Sequence, residues 1–434
     1  MDESALRMLE EEPLDWRWKG APPVRDGVTI GQIADQKWNV MDGDLLMPAM
    51  VLKESVLASN VDALAQFCAR YGVWFAPHGK TYMAPQIFKR QLDAGAWGIT
   101  ASTMSHVRMY RSFGVPRILM AYQSVEPPAI RWVAGELDRD PDFEFMCLVD
   151  SEQGVRILTE VLDEVRPSRP LRVLVELGYP GGRTGCRTIE EAESLAETVR
   201  RSPRLELAGT EGFEGLMPFV PGQDLETIIP KVERYLDECR AFHQRLDSQG
   251  YFDQLEYSVL SAGGSAMFDK VAGQLTEWDT RVPVRTIIRS GGYATHDSLM
   301  FEPVSPLAGR RAPDETLMLR PALELWGVVM SRPEPDQAIL SFGRRDAPYD
   351  AGLPIPKVVT APGSRSFRAL DGSYEVTGLN DQHAFLRVPA SDPLAVGDLV
   401  GCGVSHPCSA FDKWRLLFEV DDDYNVVGGI RTFF

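Results

Sequence analysis

Residues 55–81 read SVLASNVDALAQFCARYGVWFAPHGKT. Two textures meet in this stretch. From Ser55 to Arg70, Leu57, Val61, Leu64 and Cys68 recur at helical spacing, which predicts an amphipathic helix with one apolar face. Gly72 to Ala76 is then a short apolar run without polar alternation, which predicts a strand buried on both sides. Pro77-His-Gly-Lys-Thr81 leaves that strand as a loop with little charge.

The same unit repeats downstream. Strand-like runs follow at Trp97–Ala101, Arg117–Ala121, Glu144–Val149, Leu171–Leu177, Leu205–Gly209, Tyr257–Ser261 and Arg285–Arg289. Helical stretches separate most of them, among them Pro127–Asp138, Glu152–Val165, Thr188–Arg201 and Leu225–Asp247. Alternation of this kind predicts an α/β fold, a (β/α)8 barrel. A doubly wound open sheet ranks second, because no Gly-x-Gly-x-x-Gly follows the first strand. Past residue 305, Pro, Gly and Asp punctuate short extended runs at Glu324–Met330, Gln337–Phe342, Ala384–Val388, Leu399–Val404 and Leu416–Val420. That texture predicts a mostly β domain. The expected division is a barrel over 46–305, a C-terminal β domain over 306–434, and an N-terminal extension over 1–45 packed on the β domain.

Length and composition agree with two folded domains: 434 residues, 44% hydrophobic and 25% charged. The net charge of -17 repels phosphate backbones and argues against nucleic acid. No apolar run reaches membrane-spanning length. The acidic N-terminus lacks the basic end and apolar stretch of a signal peptide, so a cytoplasmic location is expected. Six scattered cysteines are not a disulfide framework.

In such a barrel the catalytic groups lie on the loops that follow the strands. Ala262-Gly-Gly-Ser-Ala266 and Ser290-Gly-Gly-Tyr293 occupy the seventh and eighth of these loops. One glycine pair makes a tight turn. Two pairs on the adjacent loops where phosphate sits point to a phosphorylated ligand. Lys80 stands on the first loop, and a partly desolvated lysine can lose its proton and condense with an aldehyde. A phosphorylated aldehyde with a lysine suggests pyridoxal 5'-phosphate (PLP), although a phosphosugar aldolase meets the same description. In the β domain, His406 and Cys408 are two residues apart and share one face if the segment is extended. Imidazole plus thiolate suits zinc at an open site. His383 either lines that site or is a surface histidine.

From Met47 to the C-terminus the chain resembles the D-threonine aldolase / D-serine dehydratase family of PLP enzymes, which shares its barrel with bacterial alanine racemase. The residues that carry the resemblance are Met47-Pro-Ala-Met-Val-Leu-Lys-Glu-Ser-Val-Leu-Ala-Ser-Asn60, Pro77-His-Gly-Lys-Thr81, Arg183-Thr-Gly185, Gly263-Gly-Ser265, Ser290-Gly-Gly-Tyr293 and Ser405-His-Pro-Cys408. The resemblance implies that Lys80 carries the cofactor. It implies that Gly263, Gly264, Ser265, Gly292 and Tyr293 hold the phosphate, and that Arg183 and His78 line the cofactor pocket. It also implies that His406 and Cys408 bind a divalent metal, zinc in the eukaryotic D-serine dehydratases. Members with dehydratase activity look like His-x-Cys at that position and the aldolases like His-x-Asp, so this chain sides with the dehydratases.

Two departures bear on the substrate. Tyr82 stands where many relatives carry His, and Phe213 where many carry Tyr. Thr81, Phe213 and His383 are candidates for the substrate pocket. The expected reaction is elimination from a D-3-hydroxy amino acid such as D-serine or D-threonine, giving a 2-oxo acid and ammonia. Aldol cleavage to glycine and an aldehyde is the alternative; a racemase and a non-catalytic PLP-binding protein rank lower. Relatives in this family form homodimers, which implies a homodimer here.

Overall fold

A computed structural model describes residues 1–24, 27–219 and 224–434. The chain divides into two compact units, one holding Leu64–Lys80 and Gln91–Gly291 with Met1, the other Asp2–Ala63, Thr81–Arg90 and Gly292–Phe434. In chain order the first nine strands are β1 (Ala49–Lys53), β2 (Trp74–Phe75), β3 (Ile99–Ala101), β4 (Arg117–Gln123), β5 (Glu144–Val149), β6 (Leu171–Glu176), β7 (Leu205–Glu211), β8 (Ser258–Ala262) and β9 (Val284–Ile288).

The first unit is the expected barrel. Its eight parallel strands run in the order β2-β9-β8-β7-β6-β5-β4-β3. Closure between β2 and β3 rests on hydrogen bonds from Trp97 N–H to Phe75 O (2.7 Å) and from Thr100 N–H to Pro77 O (2.8 Å). The Thr100 hydroxyl adds a third, to Ala76 O (2.6 Å). Residues from around the barrel fill its interior, among them Ala76, Leu119, Leu148, Leu174, Val259 and Ile287. All six are buried, which is why these strands read as continuous apolar runs. Four of the surrounding helices start on a side chain that accepts a hydrogen bond from the first helical turn: Thr103 before α4 (Met104–Ser112), Ser151 before α6 (Glu152–Val165), Thr188 before α7 (Ile189–Arg201) and Asp224 before α8 (Leu225–Ser248). The helices α1 (Glu3–Glu10), α2 (Glu54–Tyr71), α3 (Pro85–Asp93), α5 (Pro127–Arg139) and α9 (Phe268–Gln274) complete the set up to that point of the chain.

The second unit is built on a sheet that adds β10 (Leu323–Glu334), β11 (Gln337–Leu340), β12 (Ile355–Thr360), β13 (Arg368–Ala369), β14 (Glu375–Leu379), β15 (Ala384–Arg387), β16 (Leu399–Gly403), β17 (Leu416–Val420) and β18 (Val426–Arg431) to β1. The main order is β13-β12-β16-β10-β1-β17-β18, and β11, β15 and β14 continue from β10. Leu14, Trp18, Ile30, Ile33 and Val40 share a buried core with Val51, Trp326 and Phe418. Both ends of the barrel differ from the sequence expectation. Ala49–Lys53 is not a barrel segment, because β1 pairs antiparallel with β10 (Met50 opposite Leu325) and parallel with β17 (Val51 opposite Phe418). Gly292–Ser305 likewise belongs to the second unit. Among the described residues no helix is long and apolar enough to cross a membrane.

Candidate active site

Lys80 leaves the end of β2 on a short 3-10 turn, Gly79–Thr81, and its side chain is exposed. Glycine is needed at residue 79, since a Cβ there would lie 2.5 Å from the Tyr110 hydroxyl and 2.8 Å from Ile99 Cγ2. His78, one residue earlier, pairs with Thr100 of β3, and its Nδ1 is buried with no hydrogen-bond partner. Burial pushes the His78 imidazole well below its ordinary pKa, and the positive charges of Lys80, Arg289 and Arg183, with His106, push it the same way. His78 is therefore neutral at neutral pH, a hydrogen-bonding group among cations. His106, on the first turn of α4, is lowered by burial and then by Lys80.

Opposite charge lies beneath this cationic mouth. Arg289 is buried, ion-paired with Glu211, and donates to Gly212 O at 3.1 Å. Burial pushes the Glu211 carboxyl up to about 8 against the pull of Arg289, and Glu176 nearby raises it further. Glu176 accepts hydrogen bonds from Thr184 (2.6 Å) and Gln123. The Phe213 ring lies 5.0 Å from the Arg183 guanidinium and 5.4 Å from that of Arg289, a cation–π platform for both. Arg183 itself is exposed. The Gly263 and Gly264 N–H groups, expected to face phosphate, donate to the buried Glu214 carboxylate at 3.1 and 2.9 Å.

The second unit carries the candidate metal ligands. His406 caps α10 (Pro407–Phe411), and Cys408 lies in its first turn. The segment is thus not extended beyond His406, because Pro407 at the first helical position turns the chain into a helix. The two side chains still meet by hydrogen bonding. His406 Nδ1 is 2.6 Å from Asp350 Oδ2, and the Ser409 hydroxyl donates to Asp350 Oδ1 at 2.5 Å. Burial lowers the His406 pKa, but Cys408 and Asp350 outweigh it and hold the imidazole at about 9. Thr81 Oγ1 lies 3.3 Å from Cys408 Sγ. Among the described residues no three His, Cys, Asp or Glu side chains converge in a geometry for a metal. His383 is exposed in the turn between β14 and β15.

Tyr82 accounts for one departure structurally. It is fully buried, its hydroxyl accepts the Ala294 N–H at 3.1 Å, and its ring meets Phe411 edge-on at 5.1 Å. Burial, with Cys408 beside it, raises its pKa. The loop of Gly292 and Tyr293, both buried, is thereby tied to the residue two after Lys80. Tyr82→Phe leaves the Ala294 amide unpaired and is expected to cost about 1 kcal/mol of stability. Urea unfolding of the cofactor-free protein checks this; an unchanged midpoint would show that the hydroxyl contributes nothing.

Sequence reasoning missed His106, Glu211, Glu214 and Arg289. Two of them had a usable signal: Glu211 ends β7 and Arg289 directly follows β9, the strand ends where barrel sites are built.

The donor chemistry suits both groups that the sequence implies. The charges of Lys80, Arg289 and Arg183 all bear on His78, whose buried Nδ1 has no partner, a setting that suits an anionic aldehyde. A His–Cys pair whose imidazole is hydrogen-bonded to a carboxylate is the usual setting of a zinc ligand.

Comparison with known proteins agrees with this architecture. Residues 53–299 match the alanine racemase N-terminal domain, and 322–420 match a serine dehydratase domain. A D-threonine aldolase from Arthrobacter sp is 25% identical over 381 residues, spanning 86% of this chain and 89% of that protein. The crystal structure of D-threonine aldolase from Filomicrobium marinum superposes with a TM-score of 0.71 at 20% identity, covering 90% of this chain and 95% of that one. D-threo-3-hydroxyaspartate dehydratase from Delftia sp. HT23 gives 0.70 at 18% identity, covering 91% and 99%. That dehydratase has also been solved with a histidine replaced and, in a metal-free form, with a cysteine two positions further on replaced. Matched over more than half its length, the chain belongs to the alanine racemase N-terminal domain family, its barrel followed by a serine dehydratase domain.

Proposed function

We propose that this chain is a PLP- and divalent-metal-dependent lyase that dehydrates D-3-hydroxy amino acids to a 2-oxo acid and ammonia. The observation that carries the reading is the placement of Lys80 and Thr81. Lys80 presents its amine at the barrel mouth, and the next residue, Thr81, touches Cys408. Thr81 thus stands, within its own unit, beside one of the two proposed metal ligands.

When bound, PLP supplies an electron sink for charge at Cα and a divalent metal, zinc by donor type, supplies Lewis acidity toward a β-hydroxyl. The chain's own residues do the rest. Lys80 Nζ accepts the Cα proton, the task of a positioned base. Arg183 neutralises an anionic group at the mouth. His78, neutral by virtue of its depressed pKa, hydrogen-bonds without adding charge. His406 is oriented by Asp350, and Cys408 stands beside it. Loss of the proton and of hydroxide amounts to loss of water; the enamine released then hydrolyses to the 2-oxo acid and ammonia. A cytoplasmic homodimer is the accompanying reading.

The aldolase reading keeps its place because two of the relatives above are D-threonine aldolases. Products separate the two. Purified protein with PLP and Zn²⁺ or Mn²⁺ is given D-serine, D-threonine and D-threo-3-hydroxyaspartate. Ammonia with 2-oxo acid is the expected result. Glycine with an aldehyde would replace the dehydratase by the aldolase, and a PLP-loaded protein inert toward all three would overturn both.

A further inference from the structure

The glycine pair after β8 is commonly read as a phosphate cup, but its polar backbone groups are already engaged within the barrel. Gly263 N–H donates to Glu214 Oε2 at 3.1 Å, and Gly264 N–H to Glu214 Oε1 at 2.9 Å. Gly263 O accepts from Arg289 N–H at 3.1 Å, and Gly264 O from the Ser290 hydroxyl at 3.1 Å. Each N–H and each C=O of the two glycines thus has a partner from the loop after β7 or from the segment leaving β9. The backbone itself demands glycine at the first position, where φ is +95°. A Cβ on the second would stand 3.3 Å from the Phe213 ring.

Glu214 is well anchored for such a task. It is fully buried. Its own loop is fixed by Gly212 N–H to Ser261 O (2.9 Å) and Phe213 N–H to the Tyr235 hydroxyl (2.9 Å), which in turn donates to Leu177 O (2.5 Å). A carboxylate that receives two adjacent amides forms a charge-assisted fork, stronger than two neutral hydrogen bonds. It sets the direction in which the chain leaves Gly264.

We propose that Glu214 is a positioning residue for phosphate recognition: its carboxylate locks the Gly263–Gly264 turn, and the phosphate donors of this loop begin at Ser265. The inference rests on the reading of PLP in the barrel mouth and concerns the phosphate end alone. Glu214 touches no reacting atom.

The test is spectroscopic titration of the cofactor-free protein with PLP and, separately, with pyridoxal, the same aldehyde without phosphate. In Glu214→Gln the carboxamide offers one oxygen to two amides and turns an N–H₂ on the other. The Kd for PLP is expected to rise ten-fold or more while that for pyridoxal stays within two-fold of wild type. A merely structural role would move both together. Ser290→Ala, which frees only the Gly264 carbonyl, is expected to move PLP in the same direction by a smaller factor, and it reads the same loop if Glu214→Gln does not fold. Equal losses for PLP and pyridoxal would overturn the proposal. So would tighter PLP binding by Glu214→Gln, which would make the carboxylate a competitor for the phosphate. Wild-type protein that binds neither aldehyde would overturn the cofactor reading, and this inference with it; a change confined to the variants bears on Glu214 alone.

Discussion

Lys80→Ala is expected to abolish turnover, lowering kcat/KM by at least about 10⁴-fold, and to leave the fold intact. The size follows from the two tasks given to one amine. As the proposed covalent anchor it would be the nucleophile for the cofactor aldehyde, and as the proposed base it would take the Cα proton; a positioned base alone contributes about 10²–10⁴-fold. The fold survives because Lys80 is exposed on a 3-10 turn beyond the end of β2 and fills no part of the barrel interior. Borohydride treatment of the PLP-loaded wild type should fix a pyridoxyl group on the peptide containing Lys80, and on no peptide of the variant. Lys80→Arg is expected to be as inactive as alanine despite keeping the charge, since a guanidinium does not lose its proton at working pH. Added methylamine should restore a small part of the activity of Lys80→Ala. Labelling elsewhere in the wild type, or activity within ten-fold in either variant, would end the assignment.

The barrel was legible because its strands are buried on both faces. A parallel strand covered on both sides needs no alternation, so Glu144–Val149 or Leu171–Glu176 announces itself as an apolar run between two amphipathic helices. Ala49–Lys53 has the same local texture, and nothing in it tells which sheet it joins. Its partners, Leu325 and Phe418, are hundreds of residues away in the chain. Register of that kind is decided by long-range pairing. At the mouth, Lys80 was read from its place on a loop after a strand, and Arg183 only through the family resemblance. Glu214 was not legible, and Glu211 only as a strand end. A carboxylate after a strand reads as solvated, and what makes these two buried is Arg289 for one and a pair of glycine amides for the other. His406-Pro-Cys408 held its own correction, since proline at the start of a short run favours the first turn of a helix over an extended segment.

Cys408→Ala is expected to separate the two halves of the chemistry. Product formation from a D-3-hydroxy amino acid should fall by about 10³-fold, the several kcal/mol that a Lewis acid contributes where an oxygen leaves with its electrons. PLP binding should be unchanged, because the proposed anchor is Lys80 and not the thiol. Exchange of the Cα proton with D₂O should persist within about ten-fold, because the proposed base is Lys80, which needs no thiolate. Alanine is the suitable probe: Cys408 is half-buried in the first turn of α10, and the change removes one sulfur without adding bulk beside Thr81 and His406. Bound metal, measured by atomic emission after dialysis, should drop with the activity. A chelator should bring the wild type to the level of the variant and leave the variant where it is. If Cys408→Ala retains full ammonia release, the pair His406 and Cys408 is not the metal site. If it loses proton exchange as severely as product, the thiol acts through Lys80 and not through the departing hydroxyl.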